Sequence, residues 1–204
     1  MNSLPESIVI AARNPGKLVE VVSILEGLPF KPLSLSDFTN VIAVEESGQT
    51  FAANAILKAQ GYARQTEHCS IADDSGVEVD ALGGVPRVIS ARFAGEGVDA
   101  DHVSLLLSCM ESIPEEKRTG RFRCVIAMAD AKGDLTYLAN GACVRRIDFH
   151  PRGCHGFGYD PVFIPHGSNL TCAEMEFSVK NQLSHRAMAL SKMRHFLVDF
   201  IEQR

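Results

Sequence analysis

A short apolar run rich in β-branched residues, Ser7 to Ala12, breaks at Asn14-Pro15-Gly16 and passes into a stretch that sets Leu18, Val21, Val22 and Leu25 on one helical face. This strand–turn–helix start constrains the chain more than any other feature. It joins a buried strand to a helix over three residues, with Pro15 near the first helical position, where its missing N–H costs nothing. Units of this kind belong to folds in which helices cover a sheet.

The alternation continues. Gly48 to Gln65 reads as a second helix, with Thr50 as cap and Ile56, Ala59 and Ala63 as its inner stripe. Ser70 to Asp73 reads as a strand, Ser75-Gly76 as a turn, and Val77 to Val79 as extended chain beyond it. Asp101 to Met110 is helical. Arg121 to Ala129 and Leu135 to Arg146 read as two strands joined near Lys132-Gly133-Asp134. Ser184 to Glu202 is a long last helix with Leu190, Met193, Leu197 and Phe200 on one side. Helical crossovers beside tight strand–strand turns predict an α/β fold with a mixed, partly antiparallel sheet.

With 204 residues and no Pro- or Ser-rich linker, repeat or low-complexity tract, the chain reads as a single domain over 1–204. A domain of this length buries about 70% of its unfolded surface and needs no staple. The net charge of −5 argues against nucleic acid as a partner, though not against a nucleotide, whose phosphates one cation and a few lysines can neutralise. The six cysteines form no C-x-x-C pair, which argues against zinc, and several sit in apolar runs, as expected of reduced thiols in a cytoplasmic core. Neither a signal peptide nor a run of about 18 apolar residues is found.

Four places concentrate chemistry. Arg13-Asn14-Pro15-Gly16-Lys17 delivers a strand onto a helix N-terminus, an anion site if it is more than an ordinary connection. Glu45-Glu46 and Asp73-Asp74-Ser75-Gly76 are acidic pairs on separate elements that could converge on one hard cation, or be a solvated pair and a turn. Gly156-Phe157-Gly158-Tyr159-Asp160-Pro161 alternates glycine with aromatics that could stack on a base or fill a core. In Lys180-Asn181-Gln182-Leu183-Ser184-His185-Arg186, Ser184 reads as a helix cap, which leaves His185 and Arg186 opposing the helix dipole.

Taken in order, these stretches resemble the non-canonical purine NTP pyrophosphatases, the inosine triphosphatase-like family. The resemblance runs from about residue 7 to 200. It includes Asn14-Pro15-Gly16-Lys17, Thr50-Phe51 through Asn54 to Ala59, Ala72 through Gly84, Ser90-Ala91-Arg92, Phe157 to Pro161, Lys180-Asn181 and Ser184-His185-Arg186. It implies an elongated mixed sheet flanked by helices, two lobes with a nucleotide cleft between them, a homodimer and dependence on Mg²⁺. The implied reaction converts ITP, dITP or XTP to the monophosphate and pyrophosphate. Asn14, Gly16 and Lys17 would hold the triphosphate and Ser75 would contact the phosphates. Asp74 would be the general base and lie near the metal, with one of Glu45 and Glu46 as a further ligand. Phe157, Gly158, Tyr159, Asp160, Lys180, His185 and Arg186 would form the base pocket. Three positions depart from the pattern: Ala12 stands where many members carry Ser or Thr, and Arg87 and Ile89 stand in place of Gly and Tyr. A related pyrophosphatase for modified pyrimidine triphosphates, and a catalytically dead nucleotide binder, are the competing readings.

Overall fold

A computed structural model describes residues 5–202. Its one sheet has six strands in the order β2-β1-β3-β4-β5-β6: β1 is Ser7–Ile10, β2 Lys31–Ser34, β3 Cys69–Val79, β4 Thr119–Ala129, β5 Leu135–Ile147 and β6 Phe163–Pro165. β1 runs parallel to both β2 and β3, with Ile8 opposite Cys69 and Ile10 opposite Ile71. β5 and β6 are antiparallel, so the sheet is mixed, as the sequence predicts. The helices are α1 Pro15–Leu25, α2 Phe51–Thr66, α3 Asp99–Cys109, α4 Phe177–Leu183 and α5 His185–Glu202.

The chain forms two compact units. The first comprises Met1–Asp74, Cys124–Gly141 and Arg186–Arg204, the second Ser75–Arg123 and Ala142–His185. Each unit has its own apolar core. In the first, Ile8, Ile10 and Ile71 of the parallel strands pack with Val21 and Leu25 of α1 and with Leu190, Met193 and Leu197 of α5. In the second, Val77, Val79, Phe122 and Ile147 pack with Val103 and Leu106 of α3 and with Tyr159 and Phe163. The chain passes between the units inside strands and at the start of α5, which explains why no linker is visible in the sequence.

Local signals held where a side chain closes its own turn. Asn14 caps α1 by accepting from Lys17 N at 3.1 Å, and Pro15 is the first residue of that helix. Thr50 caps α2 by accepting from Ala53 N at 3.1 Å.

Two expectations change, and two elements were not foreseen. Ser75-Gly76 is no turn: β3 runs unbroken from Cys69 to Val79. Here sheet pairing and burial outweigh the turn preference of the Asp-Asp-Ser-Gly sequence. Gly76 serves close approach instead, because a Cβ there would lie 2.3 Å from Ser90 Oγ and 2.6 Å from Arg87 O. Val22, placed on the inner face of α1, is 38% exposed. The inner stripe is Val21 and Leu25, with Leu18 and Ile24 packed beside it, and it also includes the buried Glu20. Finally, β2 and α4 have no sequence signature. β2 contains Pro32, which is tolerated because the strand lies at the sheet edge. α4 is seven residues long and leaves Phe177, Val179 and Leu183 largely exposed.

Candidate active site

The first unit gathers charge around the end of the β3 segment it contains. Successive strand residues point to opposite faces of a sheet, so Asp73 and Asp74, both buried, serve different neighbours. Asp73 is met by Lys17 of α1, Nζ to Oδ2 3.0 Å, and by Arg186 of α5, 3.3 Å from Nη2. Arg186 also donates through Nη1 to Glu20, one turn beyond Lys17 on α1. Burial alone would raise the Asp73 carboxyl, but Lys17, Arg186 and Lys58 outweigh it and hold the group far below the usual carboxylate range. The buried Cys124 thiol, 3.9 Å from Asp73 Oδ2, is pushed up to about 12 by burial and by Asp73, which leaves it unreactive near neutral pH.

Asp74 turns to α2. Asn54 and Lys58, one helical turn apart and therefore on one face, both reach it: Asn54 Nδ2 donates to Oδ2 at 3.1 Å, and Lys58 Nζ lies 3.4 Å from Oδ1. Asn54 is itself fixed by Gly48 N, which donates to its Oδ1 at 2.7 Å. No side chain fits at Gly48, since a Cβ would come within 2.6 Å of that same oxygen. Lys58 also pairs with Glu46 at 3.2 Å. Burial raises the Asp74 carboxyl and Glu46 adds to that, against the pull of Lys58 and Lys17; the net direction is upward. Lys58 moves up as well: burial works against its charge, but Asp74, Asp73 and Glu46 outweigh it.

Glu46 and Asp74 thus come from separate segments onto one ammonium, whereas Glu45 is exposed. Two carboxylates beside open chain are the donor set that suits Mg²⁺, which takes one or two carboxylates and completes its shell with phosphate oxygens and water. Among the described residues no group of three or more His, Cys, Asp and Glu side chains could hold a metal ion.

The second unit gathers the aromatic motif. Gly156 and Gly158 adopt positive φ, and the turn they shape closes on Asp160, which accepts from Phe157 N at 3.0 Å. Lys180 of α4 donates to the same Asp160 oxygen at 2.6 Å and lies 4.6 Å over the Phe157 ring. Gly158 N is held by Asp99 at 2.6 Å. His185 stacks on Phe122, centroids 4.8 Å apart and planes 13° from parallel. Tyr159 is placed differently from a stacking platform. It is buried, and its hydroxyl donates to Ser90 O at 2.8 Å, so it braces the loop that presents Phe157.

Of the residues singled out from sequence, Glu46 and Asp74 meet on Lys58 in the first unit, where Lys17 pairs with Asp73 and Asn14 and Gly16 stand at the head of α1. Phe157, Gly158, Asp160 and Lys180 meet in the second, with His185 stacked on Phe122 there. Ser75, half-buried, follows Asp74 directly in β3. Arg186 is buried among Asp73 and Glu20, and this resolves the cost of a cation in the first turn of α5: the opposing dipole is outweighed by two carboxylates. Sequence reasoning assigned no role to Asn54, Lys58 or Glu20. The i, i+4 pair Asn54 and Lys58 on an otherwise apolar helix face was the available signal, and for Glu20 it was an acid inside the inner stripe of α1.

Residues 8–196 match the model of the Ham1 family. A dITP/XTP pyrophosphatase of Geobacter sulfurreducens is 46% identical over 191 residues, covering 93% of this chain and 96% of that protein. One from Bacillus subtilis is 43% identical over 190 residues, covering 93% and 96%. The structure of a HAM1 protein from Coxiella burnetii superposes with a TM-score of 0.87 at 37% identity, over 95% of this chain and 98% of the other.

Proposed function

The chain belongs to the Ham1 family and hydrolyses non-canonical purine nucleoside triphosphates, and we propose that Asp74 is the general base of that reaction, with Mg²⁺ as the cofactor held by Asp74 and Glu46. The observation that carries the reading is the convergence of Glu46 and Asp74 on Lys58 Nζ, at 3.2 and 3.4 Å, with the Asp74 carboxyl raised toward the range where it can accept a proton. The products are the nucleoside monophosphate and pyrophosphate, from ITP, dITP and XTP.

Each residue has a physical task. Asp74 orients a water and takes its proton as the water oxygen bonds to the α-phosphorus. The bond from that phosphorus to the α–β bridging oxygen breaks, and pyrophosphate leaves with the electron pair. When bound, Mg²⁺ supplies neutralisation of the triphosphate oxygens. Lys17 and Lys58 neutralise charge from the protein side, and the Gly16 N–H in the first turn of α1 offers an anion donor, with Asn14 fixing that turn. Ser75 adds a hydroxyl beside Asp74. Such a reaction rests on positioning and charge neutralisation, so no nucleophilic serine or cysteine is needed. For the base, Phe157 offers a ring face and Lys180 and His185 offer donors to a 6-keto oxygen, while Asp160 and Gly158 hold the loop. Likeness to the family also supports a homodimer, which light scattering would test. Among the described residues no helix is long and apolar enough to cross a membrane.

The deciding experiment is pyrophosphate release with Mg²⁺ from ITP, XTP, dITP, GTP, ATP, TTP and UTP at one sub-saturating concentration. Preference for the first three, with pyrophosphate as product, is the expected result. A pyrimidine preference would move the chain to another specificity, and inactivity on all seven would point to a binding protein.

A further inference from the structure

Residues 42–48 form neither helix nor strand, yet they are fastened to α2 at every second position. Gln65 holds both backbone groups of Ile42: the Ile42 N–H donates to Oε1 at 2.7 Å, and Nε2 donates to the Ile42 carbonyl at 3.2 Å. The Val44 N–H donates to the Tyr62 hydroxyl at 3.4 Å. Glu46 pairs with Lys58 at 3.2 Å, and the Gly48 N–H donates to Asn54 at 2.7 Å.

This ladder follows from two repeats that nearly match. Two residues of extended chain span about 6.6 Å, and one turn of helix about 5.4 Å. Asn54, Lys58, Tyr62 and Gln65 stand three or four residues apart, so they line one face of α2 and meet a segment that runs the opposite way. Gly61 lets the segment lie close, because a Cβ there would come within 2.6 Å of Val44 Cγ2. Burial alternates to match: Val44, Glu46 and Gly48 are half-buried, whereas Ala43, Glu45 and Ser47 are exposed.

Apolar burial does little to set this register. Ile42 is 76% exposed and Ala43 is exposed as well, so one register hides hardly more apolar surface than another. A slip of one residue would bring Glu45 to the inner side in place of Glu46. Hydrogen bonds are directional and discriminate between registers where burial does not.

We propose that Gln65 and Tyr62 are positioning residues: they fix the register of residues 42–48 and thereby present Glu46 to Mg²⁺. The inference rests on the reading of Glu46 as a metal ligand. Both residues act through Glu46, at the end of the ladder away from Asn54 and Lys58, which hold Asp74. A carboxylate ordered beforehand spares the entropy of ordering it when the ion arrives. The competing account is that these bonds only satisfy the backbone of an irregular segment. In that case their loss would lower stability and leave the demand for the ion unaltered.

The test follows pyrophosphate release from ITP against Mg²⁺ concentration, and Mn²⁺ binding to the protein alone by loss of the free-ion electron paramagnetic resonance signal. The proteins are wild type, Gln65→Met, Tyr62→Phe, Glu46→Gln and each of the first two combined with Glu46→Gln. Gln65→Met and Tyr62→Phe nearly keep side-chain volume while removing the polar atoms. Gln65→Met is expected to raise the half-saturating Mg²⁺ concentration about fivefold, the worth of a hydrogen bond of ordinary net strength. It should weaken Mn²⁺ binding in parallel and leave kcat at saturating Mg²⁺ near wild type. Tyr62→Phe is expected to act in the same direction. In the Glu46→Gln background neither change should add anything, since the group they position is gone. An equal effect in that background, or a lowered melting temperature with unchanged half-saturation in folded Gln65→Met, would overturn the role. If Gln65→Met does not fold, Tyr62→Phe decides by the same comparison. Wild-type Mg²⁺ demand and Mn²⁺ binding in Glu46→Gln would instead sink the metal reading itself, whereas a shift in Glu46→Gln with none in Gln65→Met sinks only the positioning.

Discussion

Lys58 Nζ lies 3.4 Å from Asp74 Oδ1, and both side chains are buried. The ammonium is the largest single influence holding the Asp74 carboxyl down, against burial and Glu46, which raise it. Removing it by Lys58→Gln is expected to let the Asp74 value climb further. The acid limb of the kcat/KM profile should then move to higher pH than in wild type. An unmoved limb would separate Asp74 from the rate-limiting proton transfer.

In wild type the raised Asp74 carboxyl sets the direction of the pH profile. A general base works only when deprotonated, so activity is expected to fall on acidification at a pH above the ordinary carboxylate value of about 3.9. Increasing Mg²⁺ favours the charged form and is expected to shift the fall toward lower pH. Profiles at two metal concentrations check both signs.

Asp74→Asn is expected to lower kcat by a factor of about 10² to 10⁴, the usual worth of a positioned base, while substrate binding persists. A carboxyl whose folded value is raised above its unfolded one contributes stability at low pH, and that contribution is lost as pH rises through the folded value. The variant is therefore expected to melt at or above the wild-type temperature at neutral pH. Wild-type kcat would remove Asp74 from the mechanism.

Arg186 and Asp73 behave in the opposite sense. Replacing Arg186 by Ala leaves Asp73 and Glu20 buried without their shared cation, and the expected cost is about 3–5 kcal/mol in denaturant unfolding. Asp73 is depressed in the folded state, so its contribution to stability is complete above the unfolded value of about 3.9 and is lost as pH falls through the folded one. Acid unfolding should accordingly start earlier in Asp73→Asn than in wild type. Equal acid midpoints would show that Asp73 does not govern acid stability.

Arg87 holds a φ of +54, the left-handed region that costs a non-glycine residue about 1–2 kcal/mol. Glycine at this position relieves that cost but gives part of it back as unfolded-state freedom. Arg87→Gly is expected to stabilise the chain by up to about 1 kcal/mol, whereas Arg87→Ala should not. Thermal melts of the pair decide it.

Contacts that close within one turn were legible in the chain itself: the helix start at Asn14-Pro15-Gly16, the Thr50 cap, and the glycines that turn the chain around Phe157. Each needs only residues three or four positions apart, so the sequence carries both partners side by side. By itself the sequence thus determined the strand–turn–helix start at Pro15, the Thr50 cap, the mixed α/β class and the set of residue types available for chemistry. Tertiary structure alone decided how those residues are used. Asp73 and Asp74 are adjacent in the chain, yet the pleat of β3 sends one to Lys17 and Arg186 and the other to Asn54 and Lys58. Glu46 rather than Glu45 reaches Lys58, and the cation in the first turn of α5 is answered by Asp73 and Glu20, 113 and 166 residues away. A charged side chain's role depends on which opposite charge shares its burial, and only the folded chain brings such distant partners within reach of Coulomb attraction in a low-dielectric interior.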